Sequence, residues 1–234
     1  MKTNKNILEG IDEEGTPDMK YYAFDWDDNI MNMPTKIILK DDEGNEVGMS
    51  TEDFAEYRTL IGKGDFDYEG HKIVGFGDDP FRNFGVKGDK KFIIDSMLAS
   101  VGPAWPDFVE AINNGSIFSI ITARGHTPSI LKEACYNLIV SNHNGIDSSE
   151  LVKNLEKFRD ISGQEKISKK DMIREYLDLC RFHPVSYGEG SATDPEEGKV
   201  KALRKFIEHI KLISKEIKKR AFLKNKVSNN FTPT

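Results

Sequence analysis

Asp25 and Asp27 stand two residues apart in Asp25-Trp26-Asp27-Asp28-Asn29, directly after the compact apolar run Tyr21-Tyr22-Ala23-Phe24. Two carboxylates at that spacing, at the mouth of a buried strand, repel each other and call for a cation or an exchanged proton. Mg²⁺ is the hard ion that takes carboxylate and carbonyl oxygens while keeping water and meeting substrate phosphate. With it, Asp25 is suited to attack phosphorus and form an aspartyl-phosphate. Asp27 is suited to protonate the leaving oxygen and later to deprotonate the hydrolytic water. Acidic turns after strands are also ordinary loops, so the pair by itself decides little.

Thr122 is the second candidate. It ends the apolar run Ile117-Phe118-Ser119-Ile120-Ile121 and precedes the helix start Thr127-Pro128. A hydroxyl there, with unpaired amides nearby, is suited to phosphate; a threonine closing its own turn has the same pattern. Asn29, Ala123 and Arg124 are the candidates for contacting substrate, with His126 beside them. The third requirement is a cation for the phosphoryl oxygens, which carry charge in the transition state. Lys199, after Asp194-Pro195-Glu196-Glu197-Gly198 and in the first turn of a long helix, is the choice; Lys201 is the substitute, and Lys169 or Lys170 the outsider.

These residues need elements to position them. The run 21–24 reads as a short buried strand. Thr35–Lys40 and Glu46–Met49 read as a hairpin around an acidic, glycine-containing turn. Ser50 or Thr51 is expected to cap a short helix through Leu60, and His71–Phe76 is the strand-like piece of the Gly-, Asp- and Phe-rich stretch 62–90. A helix opening at Pro106 is stopped by Gly115, and 117–121 suits a parallel strand covered on both faces. Helices from Thr127-Pro128 and over Asp171–Cys180 follow, separated by a polar stretch, 141–168, expected to be irregular. A strand over Pro184–Tyr187, a loop over Gly188–Gly198 and the long basic helix complete the described order, with Val227–Thr234 read as the approach to one more strand. The alternation predicts a doubly wound, mostly parallel α/β sheet, in which ligands sit beyond the carboxyl ends of the strands. The core is expected from 1–30 and 103–234, interrupted by a small α+β insert at 31–102.

The segment Tyr21–Asn29 resembles motif I of the haloacid dehalogenase-like superfamily, an apolar strand ending in DxDx. Ile117–Ile121 with Thr122 looks like its motif II, and Lys199 like its motif III. The resemblance implies a Rossmann-like core, Mg²⁺, and phosphatase or phosphotransferase chemistry. In that family the nucleophile corresponds to Asp25, the acid/base to Asp27, and the phosphoryl-holding pair to Thr122 and Lys199. Asp25 and Asp27 would be the metal ligands, Asp27 through its main-chain carbonyl, and the insert occupies the position of a C1 cap. Asn29 stands where Thr or Val is commoner. A fourth, acidic motif is not found after the basic helix, and a chain continuing past Thr234 is expected to supply it.

Composition narrows the alternatives. The 234 residues carry 33 Lys/Arg against 39 Asp/Glu, with 10% aromatics, 19 Gly and 9 Pro, and fit a soluble, cytoplasmic globule. No apolar run is long enough to span a membrane, and the first fifteen residues lack a signal-peptide core. Two cysteines, Cys135 and Cys180, exclude a disulfide framework and read as buried thiols. Residues 199–226 hold 11 Lys/Arg against 2 Glu, so +9 there and −15 elsewhere. The acidic body speaks against a general nucleic-acid binder, leaving a small phosphorylated substrate favoured and a polynucleotide possible. In the basic helix, Val200, Leu203, Phe206, Ile210, Ile213 and Ile217 form one apolar stripe. The insert's Tyr57, Arg58, Lys63, His71, Arg82 and Lys87 are available for choosing a substrate. An Mg²⁺-dependent phosphomonoesterase is the leading reading. A non-catalytic binding protein or a phosphotransferase with an incomplete metal site, and a phosphoryl-accepting signalling module, are the alternatives.

Overall fold

A computed structural model describes residues 20–162, 167–188 and 194–228, with side chains described to Lys157 in the first stretch and Glu216 in the last. The run after Lys20 forms β1 (Tyr21–Phe24), and two short strands, β2 (Met31–Asn32) and β3 (Ile37–Asp41), lead to β4 (Glu46–Met49), α1 (Thr51–Tyr57), β5 (Phe66–Tyr68) and β6 (His71–Phe76). Then come α2 (Asp89–Leu98), β7 (Ser100–Val101), α3 (Trp105–Asn113), β8 (Ile117–Thr122) and α4 (Pro128–Val140). The order closes with α5 (Ser148–Ser162), α6 (Lys169–Leu179), β9 (Arg181–Pro184) and α7 (Pro195–Ser228). The architecture is mixed α/β.

Its centre is a parallel three-stranded sheet in the order β1-β8-β9, with Phe24 opposite Ile120 and Thr122 opposite Pro184. Side chains alternate across a strand, and the two faces have different covers. Phe24, Phe118, Ile120 and Phe182 join the main core with residues of α2 to α6. Ile117 and Tyr21 face the other way and pack on Phe206, Ile210 and Ile213 of α7. Phe118 is fully buried and meets the rings of Phe24, Phe108, Tyr176 and Phe182 at 5.4 to 6.5 Å. Truncation to alanine would leave a void among four rings. Phe118→Ala is therefore expected to cost about 3–5 kcal/mol, read as a lowered urea midpoint at unchanged slope.

The insert carries its own antiparallel sheet, in the order β4-β3-β6-β5, and its own apolar cluster of Ile37, Leu39, Val47, Met49, Ile61, Tyr68 and Ile73. Its two ends are tied by β2 pairing with β7. Beside that ladder Gly102 passes so close to Asn29 that a Cβ would lie 2.4 Å from the Asn29 carbonyl oxygen. No other residue fits there without a backbone shift. Helix α2 behaves differently from the insert's sheet: it packs on α4, and Phe92 belongs to the main core.

Several local expectations hold. Ser50 caps α1, accepting from the Asp53 amide, and Thr127 caps α4, accepting from Ile130. Gly115, at φ +68°, follows α3. Cys135 and Cys180 are buried free thiols, and burial pushes Cys180 up to about 12.

Others are corrected. The stretch expected to be irregular holds α5: Asn142 and Asn144 take positive φ to turn the chain, and Asp147 accepts from the Ser149 and Glu150 amides to start the helix. Leu151 and Val152 bury into the core, a stripe too narrow to stand out among the polar residues. The last strand begins at Arg181 rather than Pro184, because Arg181 and His183 hide its apolar signal. Helix α7 continues through Ser228, so a strand does not begin at Val227; residues 229–234 lie outside the described ones. Val200 is half exposed, and Ala202 takes its place in the stripe; the side chain of Ile217 lies outside the described residues. The leader 1–19 and residues 189–193 also lie outside, and α7 starts at Pro195, inside the stretch expected to be loop. Among the described residues no helix is long and apolar enough to cross a membrane.

Candidate active site

The site forms where β1 and β8 end side by side. Phe24 pairs with Ile120, so Asp25 follows one step beyond a paired position and Thr122 two. At about 4.8 Å between strands and 3.3 Å per residue, their Cα atoms lie roughly 6 Å apart. Asp25 follows the alternation onto the α7 face, and there Lys199 reaches it from the first turns of that helix. Lys199 Nζ donates to Asp25 Oδ2 at 2.7 Å, across 174 residues of chain. Asp25 Oδ1 accepts from the Trp26 amide at 2.7 Å. Neither partner is sealed off: the Lys199 side chain keeps 27% of its surface exposed and Asp25 33%.

Burial pushes the Asp25 carboxyl above its ordinary value, and the Lys199 ammonium opposes that push. Burial lowers Lys199, but the Asp25 charge and hydrogen bond outweigh it and hold the ammonium above its usual range. The pair therefore keeps a cation beside the proposed nucleophile throughout the neutral range.

Asp27 points elsewhere. Arg124 Nε donates to its Oδ2 at 2.8 Å and Arg124 Nη2 to its Oδ1 at 2.6 Å. This guanidinium is buried, so Arg124 does not stand at an open surface where a substrate would meet it first. Thr122 is fully buried, and its hydroxyl accepts from the Arg124 amide at 3.3 Å, the turn-closing role. Ala123 is exposed in the bend between them. Asn29 holds the chain through its carbonyl, which accepts from the Ala104 amide at 2.8 Å. His126 is buried, with Nδ1 on Asp89 at 2.7 Å and Nε2 facing Arg124 Nη1 at 3.2 Å. Since arginine only donates, Nε2 accepts and Nδ1 carries the proton; burial lowers the ring's pKa, in keeping with a neutral imidazole.

Lys201 pairs with Glu197 along the exposed face of α7, and Lys169 and Lys170 are exposed at the start of α6. Within the insert, Arg82 pairs with Glu46, Lys87 with Asp79 and His71 with Asp41, Tyr57 stacks on Phe66, and Arg58 and Lys63 are exposed. Four residues around Arg124 carried no sequence signal: Thr35, Phe84, Asp89 and Phe92. Each is far from Arg124 in the chain, and none lies in a motif.

Among the described residues no group of three or more His, Cys, Asp or Glu side chains converges as a metal cage. Of the two candidate metal-ligating aspartates, Asp25 keeps 33% of its side chain exposed at the strand end, whereas both carboxylate oxygens of Asp27 are taken by Arg124. One open carboxylate fits an ion that keeps most of its water and takes one or two protein oxygens plus phosphate, the habit of Mg²⁺. No family model, curated protein or solved structure matches the chain.

A second polar cluster lies under α7. Arg181 Nη2 donates to His209 Nδ1 at 2.7 Å, and His209 Nε2 donates to the Leu179 carbonyl at 2.7 Å, which requires a neutral ring. Burial, with Lys205, Arg181 and His209 nearby, pushes His183 down to about 4, and its buried Nε2 has no partner among the described residues. A depressed folded-state pKa means this stability is present above the unfolded value near 6.5 and is lost as pH falls toward 4. Between pH 7.5 and 5 the urea midpoint is expected to fall by the equivalent of about 1–2 kcal/mol, screening included. A His183→Gln protein should show a flatter profile.

Proposed function

We propose that this chain is an Mg²⁺-dependent phosphomonoester hydrolase of haloacid dehalogenase-like type, working through an aspartyl-phosphate on Asp25. The observation that carries the reading is the Lys199–Asp25 contact, made at the strand ends where Thr122 and the exposed Ala123 also lie. Three distant pieces of chain bring a carboxylate, a cation and a strand-end bend to one spot. A phosphoryl group needs those three things together. The fold supports it too: a parallel sheet covered on both faces, interrupted after β1 by the insert, suits a doubly wound, Rossmann-like core with a C1-type cap.

In this reading an Asp25 oxygen attacks phosphorus and the bond from phosphorus to the ester oxygen breaks. Asp27, in its protonated form, gives its proton to the departing oxygen. Water then loses a proton to the Asp27 carboxylate and attacks the aspartyl-phosphate, releasing phosphate and restoring Asp25. Lys199 draws the phosphoryl oxygens and offsets their charge, and the bend at Ala123 offers its amide to them. Asn29, two residues beyond Asp27, would contact the substrate. Asp25 and the Asp27 carbonyl would hold Mg²⁺, which supplies further positive charge at the phosphoryl oxygens when bound. The substrate is a small phosphorylated molecule, and the site would work in the cytoplasm, where Mg²⁺ is plentiful.

The test is release of inorganic phosphate from p-nitrophenyl phosphate. Turnover with Mg²⁺ that stops on chelation and returns on adding Mg²⁺ is the expected result. An inert, folded protein that binds a phosphorylated molecule in the same place would favour the non-catalytic binding reading instead, in which the Asp25–Lys199 and Asp27–Arg124 pairs are permanent.

A further inference from the structure

We infer that Arg124 is a positioning residue for Asp27, and that the insert supplies the seat in which it is held. This rests on the reading of Asp27 as the acid/base of the proposed hydrolase. The Arg124 side chain is 1% exposed, while its partner Asp27 keeps 15%. Four of its five N–H donors are spent on the protein: Nε and Nη2 on the two Asp27 oxygens, Nη2 also on Thr35 Oγ1 at 3.0 Å, and Nη1 on His126 Nε2. Two aromatic rings pack on it, since Phe84 and Phe92 each lie with their ring centroids 4.9 Å from the guanidinium carbon. A phosphate could take the Nε–Nη2 edge of this cation only by displacing Asp27.

Thr35, Phe84 and Phe92 all come from the stretch between β1 and β8, as does Asp89, which fixes His126. The backbone fastens the same junction: the Gly125 amide donates to the Phe84 carbonyl at 2.7 Å, and Gly85 bridges to Gly125. Gly125 has little room for a side chain, since a Cβ would stand 3.0 Å from the Ser186 carbonyl oxygen. The insert is thus built into the catalytic scaffold at this end.

Stability alone does not explain such a pair. A buried ion pair is often replaceable by packed apolar groups at no loss. Its effect on Asp27 is different. Two parallel N–H donors fix the plane of the carboxylate, and each oxygen keeps a second lone pair for a proton or a water. The same guanidinium offsets the charge that Asp27 sets beside Asp25. Lysine cannot substitute, having neither the fork nor the flat face.

The test compares Arg124→Lys, Asp27→Asn and the double variant on p-nitrophenyl phosphate, with Thr35→Val as a milder probe. Arg124→Lys is expected to lower kcat by about 10²-fold with KM nearly unchanged. In the Asp27→Asn background the same change should cost less than about threefold, because the residue it serves is already gone. Thr35→Val, losing one acceptor of Nη2, should lower kcat severalfold. A raised KM at unchanged kcat would make Arg124 a phosphate ligand and overturn the inference, as would equal costs in both backgrounds. Should the wild type release no phosphate, the proposed function fails by itself and the pair is read separately. The Arg124 Nε–H nuclear magnetic resonance signal is then expected to be protected from exchange in the wild type and to lose that protection in Asp27→Asn; protection unchanged in that variant overturns the inference.

Discussion

Asp25→Asn is expected to lower phosphate release from p-nitrophenyl phosphate by at least about 10³-fold, down to the level left by binding and electrostatics. The amide keeps the shape of the carboxylate and one acceptor oxygen, for either Lys199 or the Trp26 amide, and the site is partly exposed, so the fold should survive. It lacks the charge and the nucleophilic oxygen, so the covalent step is lost. Stopping the wild-type reaction in acid with phosphate-labelled substrate should trap label on the protein, and the variant should trap none. A variant that keeps the wild-type rate would take Asp25 out of the mechanism, whatever its distance to Lys199.

Lys199→Met is expected to cost about 10²–10³-fold in kcat/KM, the range for losing one preorganised charge-stabilising group. Methionine retains much of the unbranched apolar stem of lysine, so the loss falls on the charge. The same variant has a second consequence that can be read separately. With the ammonium gone, only the Trp26 amide still opposes the burial that pushes Asp25 upward, so the carboxyl is protonated to higher pH. The acid limb of the pH–rate profile should therefore move upward in Lys199→Met. Lys201→Met serves as the control: Lys201 is paired with Glu197 on the outer face and should change the rate by less than about twofold. Equal losses in the two variants would mean that the charge of α7 acts as a general field and that Lys199 has no particular place at phosphorus.

How far the chain could be read from its residues follows from the range of each signal. The strands ending at Asp25 and near Thr122 were legible, because an unbroken apolar run bounded by polar turns is a local pattern. The hairpin of β3 and β4, the caps at Ser50 and Thr127 and the stop at Gly115 were legible for the same reason. Helix α5 was missed because its buried face is little more than Leu151 and Val152 with the half-buried Leu155, and β9 was displaced because arginine and histidine occupy alternate positions of a strand covered by α7. At the site, Asp25 and Lys199 could be nominated from their places after a strand and at a helix start. Arg124 could be nominated only as a cation near a strand end.

The amino-acid sequence by itself determined the alternation of strands and helices, the interruption after the first strand, and a short list of groups able to handle phosphate. Only the tertiary structure decided their partners. It turned Asp25 onto the α7 face, where one lysine among the eleven cations of residues 199–226 reaches it. It also drove Arg124 inward, against two phenylalanines of the insert, to hold Asp27. The reason is one of distance along the chain: propensity, capping and periodicity act over a few residues. The ion pairs of this site join residues 97 and 174 positions apart, and their formation depends on which faces the packed sheet and helices bring together.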